Sequence, residues 1–151
     1  LAKRAKAEQD LAEATAADLP DRKIDGVSLL PLLKNPYGES PRDTFLYYYR
    51  RNNLEAVRLG NWKLVLPHWG RTYEGFNPGK DGQPGGANER FNFEGGLYDL
   101  RRDPGERYNV KYAFPEVYAE LMGIVEKARQ ELGDALTGEE GTERRPLGRI
   151  E

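Results

Sequence analysis

His68 is the only histidine in the chain, and Arg71 and Lys80 follow it within a dozen residues. An imidazole can hydrogen-bond or carry a proton near neutral pH. Two cations beside it can add positive potential for an anionic ligand. The competing reading is a loop histidine meeting backbone groups or water, flanked by solvated charges. Tyr47, Tyr48 and Tyr49 can offer a stacking surface for a sugar ring, although aromatic strands more often pack across a sheet. Arg58 reads as a sheet-surface cation or an interdomain ion pair rather than a ligand contact. Asp103-Pro104-Gly105-Glu106-Arg107-Tyr108-Asn109 lacks the alternating oxygen ligands of a calcium loop and reads as a capped turn before a helix. Asn77 and Asp81 fail the same test, and their Gly-rich segment lacks the pattern of a phosphate cradle. Cysteine is absent, which removes thiolate metal sites and a cysteine nucleophile. No residue is assigned a catalytic or metal-binding role.

The elements that must position these groups follow from periodicity. Residues 1–18 form a helical or frayed extension with a thin apolar face. Ser28 to Leu33 reads as a short apolar helical turn with Ser28 as N-cap and Pro31 near its start. Asn35-Pro36-Tyr37-Gly38 is a turn. Thr44–Arg50, Leu54–Leu59 and Asn61–Pro67 read as strands, the last two joined at Gly60 in a tight reversal. Trp62, Leu64 and Leu66 share one face of the third strand. His68 to Gly96 is expected to be a long loop, which is uncommon inside a compact domain. Leu97–Leu100 is a last short strand ending at Asp-Pro-Gly. Pro115 to Leu132 is the clearest helix, with Val117, Leu121, Ile124, Val125, Ala128 and Leu132 as its buried stripe. The charged, Gly-rich tail after Asp134 is expected to lie along a surface. The expected fold class is α+β: a small antiparallel sheet of about four strands packed against a long C-terminal helix.

Composition limits the choices. The 151 residues fit one domain, yet only 38% are hydrophobic, 32% are charged, and there are 17 glycines and 10 prolines. A modest core with long loops follows, of a kind that packs against a larger partner. With 23 basic and 25 acidic side chains the net charge is −2, and charges of both signs are interspersed. No nucleic-acid partner or membrane surface is expected from such a field. No run approaches the roughly eighteen apolar residues needed to span a bilayer. The start at Leu1-Ala2-Lys3, without an initiator methionine or signal peptide, suggests a fragment.

Several spaced motifs agree in order: Asp25-Gly26-x-Ser28-Leu29, Ala56-Val57-Arg58, Trp62-Lys63-Leu64, Pro67-His68, Leu97-Tyr98-Asp99-Leu100, Asp103-Pro104-x-Glu106-x-x-Asn109 and Pro115-Glu116-Val117. Together they resemble the C-terminal subdomain of the sulfatase family, over residues 19–151. The resemblance implies a sulfuric ester hydrolase whose formylglycine arises in a C/S-x-P-x-R motif beside a divalent cation, usually calcium. Neither Ser28 nor Ser40 lies in that motif, so the nucleophile and the metal ligands are expected in a separate N-terminal catalytic domain, the implied partner. No cofactor is expected in this chain itself. His68 and Arg71 then become candidate substrate-binding residues, reaching toward a sulfated small molecule or glycan. Family members are often periplasmic or secreted, but the compartment stays open. The alternatives are a stand-alone module binding sulfated glycans and a purely structural interaction domain.

Overall fold

The computed structural model describes residues 27–144 and Thr15, so the extension expected over residues 1–18 lies outside the described residues apart from Thr15. The chain divides into two compact units, residues 1–43 and 44–151. In the first, α1 (Leu30–Lys34) is one helical turn with Pro31 in the opening positions, where no intrahelical donor is required. Ser28 was expected as N-cap, but Leu29 occupies that position. Ser28 still serves the helix start, since its Oγ accepts the Leu30 N–H at 3.1 Å. The turn at Asn35–Gly38 closes with a 2.9 Å bond from the Gly38 N–H to the Asn35 carbonyl.

The second unit holds β1 (Thr44–Tyr49), β2 (Asn53–Leu59), β3 (Trp62–Val65), β4 (His68–Thr72), β5 (Asn88–Phe93), β6 (Gly96–Asp99), α2 (Pro115–Leu132), β7 (Gly133–Asp134) and β8 (Glu139–Glu140). Strands β1-β2-β3-β6 form a four-stranded sheet in that order, antiparallel throughout. This is the expected α+β arrangement. Leu59 pairs with Trp62 across a two-residue loop, and Gly60 takes φ +57° there, as a tight hairpin demands.

Leu54, Val57, Leu64, Leu66 and Leu97 from the sheet meet Leu121, Val125 and Ala128 from α2 in one buried cluster. The helix stripe at i, i+4 and i+7 therefore faces inward as its spacing requires. Leu54 and Val57 are three apart, and strict alternation would send them to opposite faces. A bulge reconciles them: Tyr47 pairs with Ala56 but Tyr48 with Leu54, leaving Glu55 as the extra residue.

The tail after Asp134 is exposed over residues 135–140, as a surface tail is, but the joint before it is buried. Gly133 takes φ +79° and its N–H bonds the Arg129 carbonyl, ending the helix. Asp134 is fully buried. Its Oδ1 accepts the Leu54 N–H at 3.1 Å and the Leu136 N–H at 2.9 Å, and its Oδ2 accepts Arg129 Nε–H at 3.1 Å. A buried carboxylate persists only with such partners. Tyr48 completes the joint, its hydroxyl donating to the Gly133 carbonyl at 2.9 Å. Burial pushes the Tyr48 phenol up to about 12, with the Asp134 carboxylate adding to the rise and Arg129 opposing it.

Candidate functional site

Residues 68–96 were expected as a loop, but they fold into a separate two-stranded sheet, β4 against β5. Pro67 separates β3 from β4, and Gly95 separates β5 from β6. Gly95 has φ +79°, and a Cβ there would lie 2.7 Å from the Val65 carbonyl oxygen and 3.1 Å from Pro67. Only glycine lets the two roots of the hairpin leave the main sheet side by side. Within the hairpin, Phe93 covers Gly70, where a Cβ would meet the ring at 3.0 Å. The rings of His68, Phe93 and Phe91 then form a row, His68 stacking on Phe93 at 4.9 Å and 13° and Phe93 meeting Phe91 edge-on at 4.8 Å.

His68 opens β4 with its side chain only 9% exposed. Its Nδ1 lies 2.7 Å from the Leu66 carbonyl oxygen, and its Nε2 lies 3.4 Å from Glu55 Oε2. Arg71 is half-exposed and elsewhere on the strand, donating from Nε to Glu89 at 2.8 Å and from Nη1 to the Tyr73 hydroxyl at 3.3 Å. Bonding to Tyr73, and then to Glu89, raises the Arg71 pKa above its ordinary value. The two candidate residues thus share a strand but not a partner. Lys80 is exposed at the far turn, where its carbonyl accepts the Gln83 N–H at 2.9 Å. Between strand ends and turn runs a shallow groove of about 530 Å³, lined by Thr72, Glu74, Phe76, Asn88, Glu89 and Phe91.

Glu55 was not singled out from the sequence. The available signal was a lone carboxylate inside the apolar run Leu54–Leu59. Among the tyrosines, Tyr48 packs on the core, Tyr47 lies under the Lys63 ammonium at 5.0 Å, and Tyr49 is exposed. Arg58 donates from Nε to the Gly60 carbonyl at 2.7 Å, a local sheet-surface contact. Among the described residues, no group of three or more His, Cys, Asp or Glu side chains is arranged to hold a metal ion. Among them, too, no helix is long and apolar enough to cross a membrane.

Residues 40–145 match the family described as the C-terminal region of aryl-sulfatase. The chain belongs to that family. N-acetylgalactosamine-6-sulfatase of Mus musculus is 35% identical over 120 residues, covering 74% of this chain and 22% of the relative. Steryl-sulfatase of Mus musculus is 37% identical over 134 residues, covering 78% of this chain and 20% of the relative. A solved Bacteroides thetaiotaomicron structure, described with the metabolism of multiple glycosaminoglycans, is similar with a TM-score of 0.55 and 27% identity. It is covered to 23% of its length by 80% of this chain. The chain therefore spans between a fifth and a quarter of these relatives.

In this sulfatase C-terminal region, the motifs that carry the resemblance fall on structural joints. Asp103 Oδ2 accepts the Arg107 and Tyr108 N–H groups at 2.7 and 2.8 Å, so its turn is capped as expected. Glu106 pairs with Lys63 at 2.6 Å, tying that turn to β3. Asn109 Oδ1 accepts the Leu97 and Lys111 N–H groups, both at 3.1 Å, fixing the approach to α2 along β6. Tyr98 lies between them, its phenol pKa raised by burial and then by the Glu106 and Asp103 carboxylates.

Proposed function

We propose that this chain is the C-terminal part of a sulfuric ester hydrolase, where it braces the catalytic domain and shapes one wall of the substrate pocket. The observation that carries this reading is the family match over residues 40–145. The relatives are named for an N-acetylgalactosamine 6-sulfate in one case and a steryl sulfate in another. The sulfate ester is what they share, and it is the substrate class proposed here. The stand-alone glycan module is not favoured, because the match is to a region of larger sulfatases.

The β4–β5 hairpin is the part proposed to face substrate. Arg71 supplies the anion-facing group: its guanidinium is half-exposed, stays charged, and presents donors in a planar fork suited to sulfate oxygens. His68 contributes from the hairpin root, where it opens β4, rather than from the groove lining. Calcium, the cation the resemblance implies, does not fit the described residues, which offer no cluster of oxygen ligands. Its ligands are proposed to belong to the catalytic domain, and no step is assigned to it here.

The test is hydrolysis of an aryl sulfate by the full polypeptide that contains this segment, against the 151-residue chain alone. The full polypeptide is expected to turn over and the chain alone is not, with or without calcium. Chelator-sensitive turnover by the chain alone would overturn the reading, as would a full polypeptide lacking an in-frame C/S-x-P-x-R segment.

A further inference from the structure

The imidazole of His68 is held between two acceptors. At one end the Leu66 carbonyl oxygen stands 2.7 Å from Nδ1, and at the other Glu55 Oε2 stands 3.4 Å from Nε2. A carbonyl only accepts, so Nδ1 carries hydrogen. A neutral ring then turns a lone pair on Nε2 toward an ionised carboxylate. The opposite tautomer merely moves the conflict to the carbonyl. Both contacts are satisfied only if one more proton lies between Nε2 and Oε2.

Two further observations single out Glu55. It is the extra residue of the β1–β2 bulge, a distortion that re-aims a side chain out of simple alternation. Its other oxygen, Oε1, is buried and has no hydrogen-bond partner among the described residues. A carboxylate so poorly supplied with donors depends on the His68 contact. The groups facing the ring are Glu55 from β2, the Leu66 carbonyl after β3 and the Phe93 ring from β5. Glu55 is the one charged side chain within ion-pair distance of it among the described residues.

We propose that Glu55 is a positioning residue for His68, the two sharing one proton between Oε2 and Nε2 and so fastening the β4–β5 hairpin to the four-stranded sheet in one orientation. Among the described residues the hairpin strands pair only with each other, which leaves this contact and the Pro67 and Gly95 roots as its ties to the four-stranded sheet in the proposal. The consequence for substrate rests on the reading above that the hairpin lines the pocket. The proton sharing does not.

The single histidine makes the test direct. In the 151-residue chain labelled with 15N at the imidazole, Nδ1 is expected to be protonated throughout. A proton is also expected at Nε2, with the Trp69 and Phe93 amide signals those of a hairpin held in one orientation. In Glu55→Gln the amide can donate to a neutral Nε2, so the hairpin signals are expected to stay in place while the proton at Nε2 is lost. In Glu55→Ala, hairpin amide hydrogen exchange is expected to quicken severalfold with the core amides unchanged. A bare Nδ1 in the wild-type chain overturns the proposal without any variant being needed. So does Glu55→Ala with wild-type ring signals and hairpin exchange. In the full polypeptide, Glu55→Ala is expected to raise KM severalfold with kcat held, and Glu55→Gln to restore it. If no sulfate ester is hydrolysed, the functional reading fails while the spectra still decide the proton.

Discussion

The sheet-and-helix body and the β4–β5 hairpin are built from the same chain by different means. In the body, Leu54, Leu64, Leu97, Leu121 and Val125 are wholly or almost wholly removed from water. At its lower joint Asp134 collects three donors. In the hairpin, Trp69, Tyr73 and Phe76 remain about half-exposed, and the organising contacts are an aromatic row, an exposed ion pair and one histidine. Apolar burial at about 25 cal/mol per Å² favours the body strongly and the hairpin little. The hairpin leaves most of its aromatic side chains open to solvent.

The contrast can be broken most sharply at Asp134. Asp134→Ala strips acceptors from the Leu54 and Leu136 amides and a partner from Arg129, and is expected to cost about 4 kcal/mol in denaturant unfolding. Leu121→Ala, opening a cavity at the centre of the cluster, is expected to cost about 3 kcal/mol by the same measurement.

Tyr48→Phe removes the hydroxyl that donates to the Gly133 carbonyl and also lies 3.3 Å from the Ala128 carbonyl, and is expected to cost about 1 kcal/mol. It also carries a pH signature. The folded state holds the phenol proton until about 12, against 10.0 for an unperturbed tyrosine. That stabilisation is complete below pH 10 and is lost as the pH rises toward 12. Unfolding midpoints measured from about pH 9 to 11 should fall less in Tyr48→Phe than in the wild type.

The smallest effect on stability is expected in the hairpin. Arg71→Ala breaks an exposed pair with Glu89 and should leave the unfolding midpoint unchanged. In the full polypeptide it should raise KM for a sulfate ester by about tenfold, the loss of one charge-assisted contact. A large stability loss from Arg71→Ala would erase the distinction between the two regions.

Much of the body was legible in the residues. Trp62, Leu64 and Leu66 alternate because a pleated strand has period two, and the stripe from Val117 to Ala128 repeats as a helix must. The hairpin was not legible. His68–Thr72 is short and alternates in burial without alternating in residue type, Asn88–Phe93 is exposed at all but its last residue, and the two flank a stretch rich in glycine and proline, so neither shows an apolar alternation in the sequence. Asp134 escaped notice for a similar reason. A carboxylate after a helix reads as solvated until the Leu54 amide is brought to it from 80 positions away, beside the Arg129 guanidinium of the preceding helix. His68 and Arg71 were found by residue type, but type alone does not say that one is enclosed and the other open.

By themselves the residues determined the local geometry of this protein: the helix over Pro115–Leu132, the reversal at Gly60, the capped turn at Asp103 and the family to which their order belongs. Those features depend on neighbours within a few positions, where periodicity and turn chemistry act. The tertiary structure alone decided the bulge that sends Leu54 and Val57 to one core, the burial of Asp134 and the meeting of Glu55 with His68. Each depends on groups supplied by different strands or helices, whose pairing is set by packing.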